Sequence, residues 1–188
     1  MVIAYFDLET YSIGKEPTFK DKIILVCYKE TNGRPILLRE WISDEKSVIS
    51  KFYDLLKTKI KTEKTVTIIG FNILRFDVPL LSCRLHRYKV DKLHNILEFF
   101  RKIYWRDLRQ CLLPFNKYRF KGLGAEEIAK KFNIDPPKHS NKEMKEFYRN
   151  RMYDKIEEHA VSDLKFLSDL SWKMRDLRNI AEAFSVRM

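Results

Sequence analysis

The stretch that decides the fold is the first strand of the chain, VIAYFDLET at residues 2–10. Its apolar run ends in two carboxylates, Asp7 and Glu9, which are separated by one residue. Because side chains alternate between faces along an extended strand, Asp7 and Glu9 are expected on one face and Leu8 on the other. Neighbouring carboxylates raise each other's pKa, and oxygen ligands on a rigid strand suit Mg²⁺ or Mn²⁺. The stretch therefore indicates a divalent-metal site, although an isolated Asp-x-Glu is more often the solvated end of a strand.

The size and charge of the chain narrow the function classes. With 188 residues and 45% hydrophobic content, the chain fits one domain, residues 1–188, with one core and one active site. Its 37 basic and 26 acidic side chains give a formal charge of +11, which favours a phosphate-rich partner such as nucleic acid. The acidic pair would repel that partner unless a metal ion stood between them.

The start of the chain and its cysteines both bear on the cellular compartment. No basic segment precedes the apolar run, and Asp7 interrupts it, so neither a signal peptide nor a membrane span is predicted. Cys27, Cys83 and Cys111 are odd in number, lie in apolar surroundings in the sequence and lack C-x-x-C spacing, which predicts reduced core thiols and no zinc site. A soluble cytoplasmic protein is expected.

Hydrophobic periodicity predicts an α/β fold with a helical C-terminus. The predicted strands cover residues 2–10, 22–29, 35–41, 65–69 and 102–108. The predicted helices cover residues 43–60, 77–88 and 122–132, and an almost wholly helical stretch from residue 143 is broken near residues 150–153 and 168–172. The assignment of residues 95–100 is ambiguous, and loops are predicted at residues 11–20, 114–121 and 135–141. A helix between the third and fourth strands implies a right-handed crossover, with the fourth strand parallel to an earlier one.

Two further groups add chemistry to the acidic pair. Asp77 is delivered to a predicted helix N-terminus by the segment that leaves the fourth strand, and ligands of open α/β sheets bind at such strand ends. Alone, Asp77 would be a plain N-cap. His159 and Asp163 are four residues apart and so share one helical face, beside an apolar stripe. Alone, such a histidine is more often a surface residue paired with its acid.

Together these groups resemble the DEDD (DnaQ-like) superfamily of 3′-to-5′ exonucleases. Asp7 and Glu9 match its first motif, and Asp163 matches its last acid. Residues 72–77 resemble the N-x-x-x-[FY]-D second motif in the editing domains of family B DNA polymerases. The resemblance covers nearly the whole chain and implies a ribonuclease H-like fold, in which a mixed five-stranded sheet is flanked by helices.

The third motif departs from the family pattern. One branch of the superfamily has Y-x-x-x-D and another has H-x-x-x-x-D, whereas this chain has His159 at the shorter spacing. His159 thus occupies the helical position of the tyrosine. One interpretation is that it orients or deprotonates the attacking water, with activity falling below its ordinary pKa of about 6.5. The other is that it is a spectator and that Tyr153 or His139 enters the site.

The resemblance also implies roles for individual residues. Two divalent ions, Mg²⁺ or Mn²⁺, would be bound by Asp7, Glu9, Asp77 and Asp163. By the same resemblance, Thr10 and Asn72 would contact the 3′-terminal sugar or order the loop. Independently of it, Leu8 and Phe76 are candidates for packing on the terminal base. The charges of Lys117, Arg119 and Lys121, and of the second basic segment at residues 138–142, make them candidate phosphate contacts. Leu8 and Phe76 are more often core residues, and a charge run is usually a solvated face.

The expected function is 3′-to-5′ hydrolysis of single-stranded DNA ends, in proofreading or DNA repair beside a replication or repair partner protein. An exoribonuclease keeps the same chemistry with RNA as substrate, since no identified residue reads a 2′-hydroxyl. A catalytically silent nucleic-acid-binding module on the same fold is the alternative from another class. The irregular His159 spacing favours the silent module, and the presence of all four acids argues against it.

Overall fold

A five-stranded mixed sheet forms the centre of the computed structural model. The structure describes residues 1–12, 14, 18–139 and 141–185, and for residues 141 and 142 it describes only the backbone. The strands are β1 (Val2–Tyr11), β2 (Lys22–Glu30), β3 (Ile36–Arg39), β4 (Val66–Gly70) and β5 (Tyr104–Asp107). Their spatial order is β3-β2-β1-β4-β5. β2 is antiparallel to both β1 and β3, whereas β1, β4 and β5 are parallel to one another. The predicted mixed sheet and its parallel fourth strand are confirmed.

Helices cover both faces of the sheet. They are α1 (Glu45–Thr62), α2 (Asp77–Arg87), α3 (Leu93–Phe100), α4 (Leu108–Cys111), α5 (Ala125–Phe132), α6 (Asn141–Arg149), α7 (Tyr153–Lys173) and α8 (Leu177–Ala183), with short 3-10 turns at Glu40–Ile42 and Pro114–Asn116. Asp44 caps α1 as its sequence predicts, accepting a hydrogen bond from the Ser47 N–H at 2.9 Å. Asp77 is the first residue of α2, and Phe76 occupies the cap position that was predicted for Asp77.

Three helix assignments differ from the sequence prediction. The ambiguous residues 95–100 belong to α3. The helix predicted from residue 122 begins at Ala125, because Gly122 has a φ of +88° and cannot start a right-handed helix. The break predicted at residues 168–172 is wrong, since Leu170 and Ser171 are buried within a continuous α7 and the chain turns at residues 174–176. The earlier break, at residues 150–152, is confirmed.

The two faces of β1 belong to different layers of the core. Phe6 and Leu8 pack with α1, α2 and α3 in one buried cluster. Tyr5 packs on the other side with α5, α7 and α8. The carboxylates of Asp7 and Glu9 alternate with Leu8, so they are directed to the side of the sheet that α7 covers.

A buried ion pair connects α1 and α2, which pack on the same side of the sheet. The Arg84 guanidinium donates to both carboxylate oxygens of Glu45, and both residues are at most 5% exposed. Glu45 also accepts hydrogen bonds from the Ile23 N–H and the Tyr88 hydroxyl, each at 2.9 Å. Every charge in this pair therefore has partners, as burial requires, and the pair ties α1 to α2 and β2.

The cysteines differ from the sequence prediction. Cys27 is a buried free thiol of β2, as predicted. Cys83 and Cys111 are free but exposed, so the prediction that all three are core thiols is wrong. Apolar neighbours in sequence do not fix which face of a helix a residue occupies, and Cys83 lies on the outer face of α2.

The described residues bear on two other expectations. The predicted loop at residues 11–20 begins after Tyr11, which is the last residue of β1. Ile13 and residues 15–17 of this loop lie outside the described residues, as do Ser140 and residues 186–188. In the part of the chain that is described, none of the helices combines the length and apolar character that crossing a bilayer requires.

Candidate active site

β1 brings the first two acids to the centre of the sheet. Asp7 is in register with Cys27 of β2, and Glu9 is in register with Leu25. A β-bulge follows directly, between Glu9 and Thr10. Bulges re-aim the side chains beside them, and here the register shifts directly after the acidic pair, before pairing continues to Tyr11.

The third acid, Asp77, follows a close approach of β4 to β1 at Gly70. A Cβ at Gly70 would lie 2.3 Å from Cγ2 of Ile73 and 2.8 Å from the Phe6 carbonyl oxygen, so no larger residue fits there. The chain then turns through Asn72, whose φ is 65°. It reaches Asp77 at the start of α2, where the carboxylate is buried, near the Asp7 charge and the Leu8 amide.

Asp107, which was not anticipated from the sequence, fixes this turn. Its carboxylate is 2% exposed and accepts hydrogen bonds from the N–H groups of Asn72 at 2.9 Å and Leu74 at 3.1 Å. It also caps α4, accepting from Arg109 and Gln110 at 3.0 and 3.3 Å. Asp107 ends β5, the parallel neighbour of β4, and that position at a shared strand edge is the signal that could have identified it.

α7 supplies the remaining two residues. Nε2 of His159 lies 3.2 Å from Oδ2 of Asp163 and 3.7 Å from Oε1 of Glu9. Ligand atoms of these three residues all lie within 4.8 Å of one another, a spacing that one metal ion could bridge. His159 is 3% exposed, so the interpretation as a surface histidine does not describe it.

The four acids perturb one another strongly. Burial raises the pKa of Asp7 to about 6 and that of Asp163 to about 9, the latter with help from the Asp7 charge. Burial also raises the pKa of Asp77 and Glu9 well above their ordinary values. The charges of Asp7, Asp163 and Asp77 all add to the effect on Glu9. The acids of β1, α2 and α7 therefore lie near enough for their charges to act on one another.

The donor set fits a divalent cation. Oε1 of Glu9 is buried and has no hydrogen-bond partner among the described residues. The same side chain belongs to the group of three whose ligand atoms lie close enough for one ion. Clustered carboxylate oxygens are the ligands that Mg²⁺ and Mn²⁺ prefer. A cation would give the free oxygen a partner and relieve the repulsion between the acids.

The imidazole of His159 is neutral in the metal-free protein. Burial, with a smaller contribution from His139, lowers its pKa to about 4. Nδ1 of His159 is buried without a hydrogen-bond partner in the described part of the chain. The expectation that this base titrates at its ordinary pKa of about 6.5 is therefore wrong, because a buried imidazole loses the hydration that stabilises its charge.

The two alternative residues have other partners. Tyr153 stacks on Trp41, with ring centroids 4.6 Å apart and planes 4° apart. The His139 ring lies 6.3 Å from the His159 ring, and its nitrogens are 3.7 Å from carboxylate oxygens of Glu143 and Glu158. Of the three candidates, His159 is the residue for which contacts with two of the acids are found.

The candidate substrate residues fall into an apolar and a polar set. Leu8 is buried in the core. Phe76 is partly buried against the same core cluster and stacks on Phe19, with ring centroids 6.2 Å apart. Thr10 is half-buried beyond the bulge. The side-chain oxygen of Asn72 accepts a hydrogen bond from Arg109 at 3.1 Å.

The basic candidates lie on two segments. Lys117, Arg119 and Lys121 are exposed on the loop after the second 3-10 turn. Lys138, in the second basic segment, is paired with Glu158 at 2.6 Å, so a local carboxylate already balances its charge. Ser140 lies outside the described residues, and the side chains of residues 141 and 142 are not described.

The fold and the acidic centre are those of a nuclease-type α/β protein, and the comparison with protein families agrees. A family model described as the RNase_H superfamily matches residues 4–174. The chain belongs to the RNase_H superfamily, and the ribonuclease H-like fold expected from the sequence is confirmed. None of the curated proteins compared with the chain matches it.

Solved structures share this fold. The family B DNA polymerase of the archaeon Pyrobaculum calidifontis matches with a TM-score of 0.70 and 18% identity, over 97% of this chain and 27% of the polymerase. Exonuclease I of E. coli, in complex with a dT13 oligonucleotide, matches with a TM-score of 0.56 and 15% identity, over 90% of this chain and 40% of the exonuclease. The chain thus spans less than half the length of either, and the resemblance to polymerase editing domains and exonucleases is a likeness of fold.

Proposed function

We propose that the protein is a metal-dependent exonuclease that removes nucleotides from the 3′ end of single-stranded DNA. The observation that carries the proposal is the convergence of Asp7, Glu9, Asp77 and Asp163, with Oε1 of Glu9 buried and unpartnered. Membership of the RNase_H superfamily and a fold shared with exonucleases support it.

The four carboxylates are the proposed ligands of two divalent ions, Mg²⁺ or Mn²⁺. When bound, such ions orient an attacking water and stabilise the leaving oxygen of an in-line displacement. Asp7 is central, since its charge acts on Glu9, Asp77 and Asp163. Without cations, the ionised acids would repel the scissile phosphate.

His159 is the proposed proton acceptor. Its Nε2 faces Glu9 and Asp163, and the lowered pKa keeps the imidazole neutral, which is the form able to take a proton from water. The water oxygen bonds to the terminal phosphorus while the bond from phosphorus to the 3′ oxygen of the preceding nucleotide breaks. The leaving 3′ oxygen takes up a proton from solvent water. The products are a strand with a free 3′ hydroxyl and a nucleoside 5′-monophosphate.

The substrate class rests on charge and on the relatives. The formal charge of +11 favours a polyanion, and an E. coli exonuclease of this fold has been solved with a single-stranded oligonucleotide. We propose DNA as the substrate, with residues 1–188 acting as one exonuclease domain beside a replication or repair partner protein.

The test uses single-stranded oligonucleotides labelled at either end, with Mg²⁺ or Mn²⁺. The parent protein is expected to shorten a 5′-labelled strand stepwise and to release a 3′ label as a mononucleotide. Asp7→Asn should abolish this, whereas Asp54→Asn, which alters an exposed acid of α1, should not. A panel of duplex DNA, mismatched ends and RNA would show the substrate preference.

Two results would contradict the proposal. Absence of digestion by the parent under either metal would favour the silent binding module. Digestion by the Asp7→Asn variant at the parent rate would show that the four acids do not take part in hydrolysis. Faster digestion of RNA than of DNA would retain the mechanism and replace the substrate.

A further inference from the structure

Two arginines share one aromatic ring at the carboxyl edge of the parallel strands. The guanidinium carbons of Arg75 and Arg109 lie 5.3 and 5.2 Å from the centroid of the Phe120 ring. Arg75 is exposed on the turn between β4 and α2, and Arg109 is half-buried in α4. Each cation is thus attracted to the ring, although the two positive charges repel each other.

The charges of Asp107 and Glu127 act on Arg109, but neither acid forms an ion pair with it. Among the described residues, neither Arg75 nor Arg109 forms an ion pair with an acid. The adjacent Asp107 uses its oxygens to accept four backbone N–H groups. Nε of Arg109 is buried without a hydrogen-bond partner in the same part of the chain. In the described part of the chain, the cluster therefore has no anion paired with it.

The cluster is joined to the turn that delivers Asp77. Arg109 donates to the side-chain oxygen of Asn72 at 3.1 Å, five residues before Asp77. It also donates to the Phe120 carbonyl at 3.4 Å, which connects it to the exposed basic loop of residues 117–121. The side chain of Asn116 donates to two carbonyls of that loop and holds its shape.

We propose that Arg75, Arg109 and Phe120 form a phosphate clamp, which binds a backbone phosphate of the single strand whose 3′ end reaches the four acids. The proposal rests on the proposed nuclease function for its substrate. A guanidinium matches a phosphate in both charge and geometry. Both guanidiniums lie within 5.3 Å of the centre of one ring, and the charge of Arg75 acts on Arg109. A phosphate bound between them would contact both and relieve their repulsion. Contacts to phosphate read no sequence, as an enzyme that degrades any strand requires.

The test measures binding apart from catalysis. A fluorescent oligo-dT is titrated in EDTA with protein that carries Asp7→Asn, so that the strand stays intact. Adding Arg75→Ala or Arg109→Gln is expected to weaken binding about tenfold. Each should also reduce the slope of log affinity against log salt by about 0.7, the value for one phosphate on a single strand. Phe120→Leu, which removes the shared ring, should weaken binding in the same direction.

The matched control is Arg34→Ala. Arg34 is exposed in the turn between β2 and β3, at the opposite end of the sheet. Its loss removes the same charge and is expected to change affinity by less than about twofold. The only hydrogen bond found for Arg75 in the described part of the chain is that of its backbone N–H to the Asn72 carbonyl, which alanine keeps. Arg75→Ala should therefore fold, and a thermal melt checks this.

A second measurement locates the phosphate. Oligonucleotides with one neutral methylphosphonate at each position in turn are titrated against the parent and the Arg75→Ala variant. At the clamped phosphate, the neutral linkage should weaken parent binding and abolish the difference between the two proteins. The same position is expected with oligo-U, because the clamp contacts phosphate and no 2′-hydroxyl.

The outcomes separate the clamp from the nuclease proposal. The clamp is overturned if the parent fails to bind single strands, or if Arg75→Ala and Arg109→Gln weaken binding no more than Arg34→Ala. It is also overturned if no methylphosphonate position abolishes the difference. If the clamp variants lose affinity while the parent hydrolyses nothing, the clamp is supported and the nuclease proposal fails.

Discussion

Nε2 of His159 lies 3.2 Å from Oδ2 of Asp163, one helical turn further along α7. The spacing of four residues places both side chains on the same face of the helix, and the buried stripe of Ile156, Ala160 and Leu164 directs that face towards β1. The imidazole is therefore in contact with an acid of the proposed metal site.

Replacing His159 is expected to slow chemistry without weakening DNA binding. His159→Gln should lower kcat about 10²- to 10⁴-fold, the usual contribution of a general base, with affinity in EDTA unchanged. His159→Tyr restores the residue type of the tyrosine branch and should retain more activity than the glutamine variant. Single-turnover rates check this. Equal rates for parent and His159→Gln, with chemistry limiting, would make the histidine a spectator.

Metal binding should stabilise the protein more at high pH. Folding raises the pKa of the carboxyl groups, so their contribution to the free energy of unfolding is fully present below about pH 4. This contribution is lost as the pH rises through about 6 for Asp7 and through about 9 for Asp163. His159 acts oppositely, since its lowered pKa removes stability as pH falls from about 6.5 towards 4. A cation offsets the repulsion among ionised acids, and its binding releases protons.

The measurement is the Tm with Mn²⁺ and with EDTA, at pH 5.5 and 8.5. At about 100 times its Kd, the metal contributes about 2.7 kcal/mol, which is about 5–10 °C for a chain of this length. Asp7→Asn should raise the Tm in EDTA at pH 8.5 and diminish the response to metal. The same metal response at both pH values, or an undiminished one in the variant, would contradict this account.

Gly70 is expected to be irreplaceable. In Gly70→Ala the new Cβ meets Ile73 and the Phe6 carbonyl, and overpacking of this kind costs about 1–3 kcal/mol. Because the same turn leads to Asp77, activity should fall further than stability alone explains. Gly33→Ala is the control, since its Cβ would meet no atom closer than 3.4 Å. Denaturant unfolding and nuclease rates of both variants test this; equal behaviour would refute it.

Asp107 is expected to position the turn before Asp77. Asp107→Ala leaves four backbone N–H groups without their acceptor and should cost more than about 2 kcal/mol, since an unsatisfied buried donor costs about 1–3 kcal/mol. Metal affinity, measured by calorimetry, should fall as well. Asp176→Ala removes a helix cap of α8 remote from the site and should cost only about 1 kcal/mol. Unchanged metal affinity in Asp107→Ala would show that the turn holds its position without this carboxylate.

The elements that the sequence predicted well are those with a strong period. Alternation along β1 placed Asp7 and Glu9 opposite Leu8, and the helical period placed His159 beside Asp163. Residues 95–100 stayed ambiguous because a short apolar run suits either a strand or a helix. The break predicted near residues 168–172 is displaced to residues 174–176, because burial of Leu170 and Ser171 continues α7.

The residues that the sequence did not reveal depend on contacts between loops. Arg75, Arg109 and Phe120 come from the turn after β4, from α4 and from the loop at residues 117–121, and no period relates them. Asp107 resembles any acid at the end of a strand until the N–H groups of the neighbouring turn are seen to point at it. The exposure of Cys83 likewise depends on which face of α2 packs inward.

By itself, the sequence determined which side chains share a face of each strand and helix, because backbone geometry repeats locally, and it thereby determined the acids and the fold class. Only the tertiary structure decided how close those faces come, and hence that burial raises the pKa of the carboxyl groups and lowers that of His159. Desolvation depends on every atom packed around a group, and those atoms belong to residues far apart in the chain.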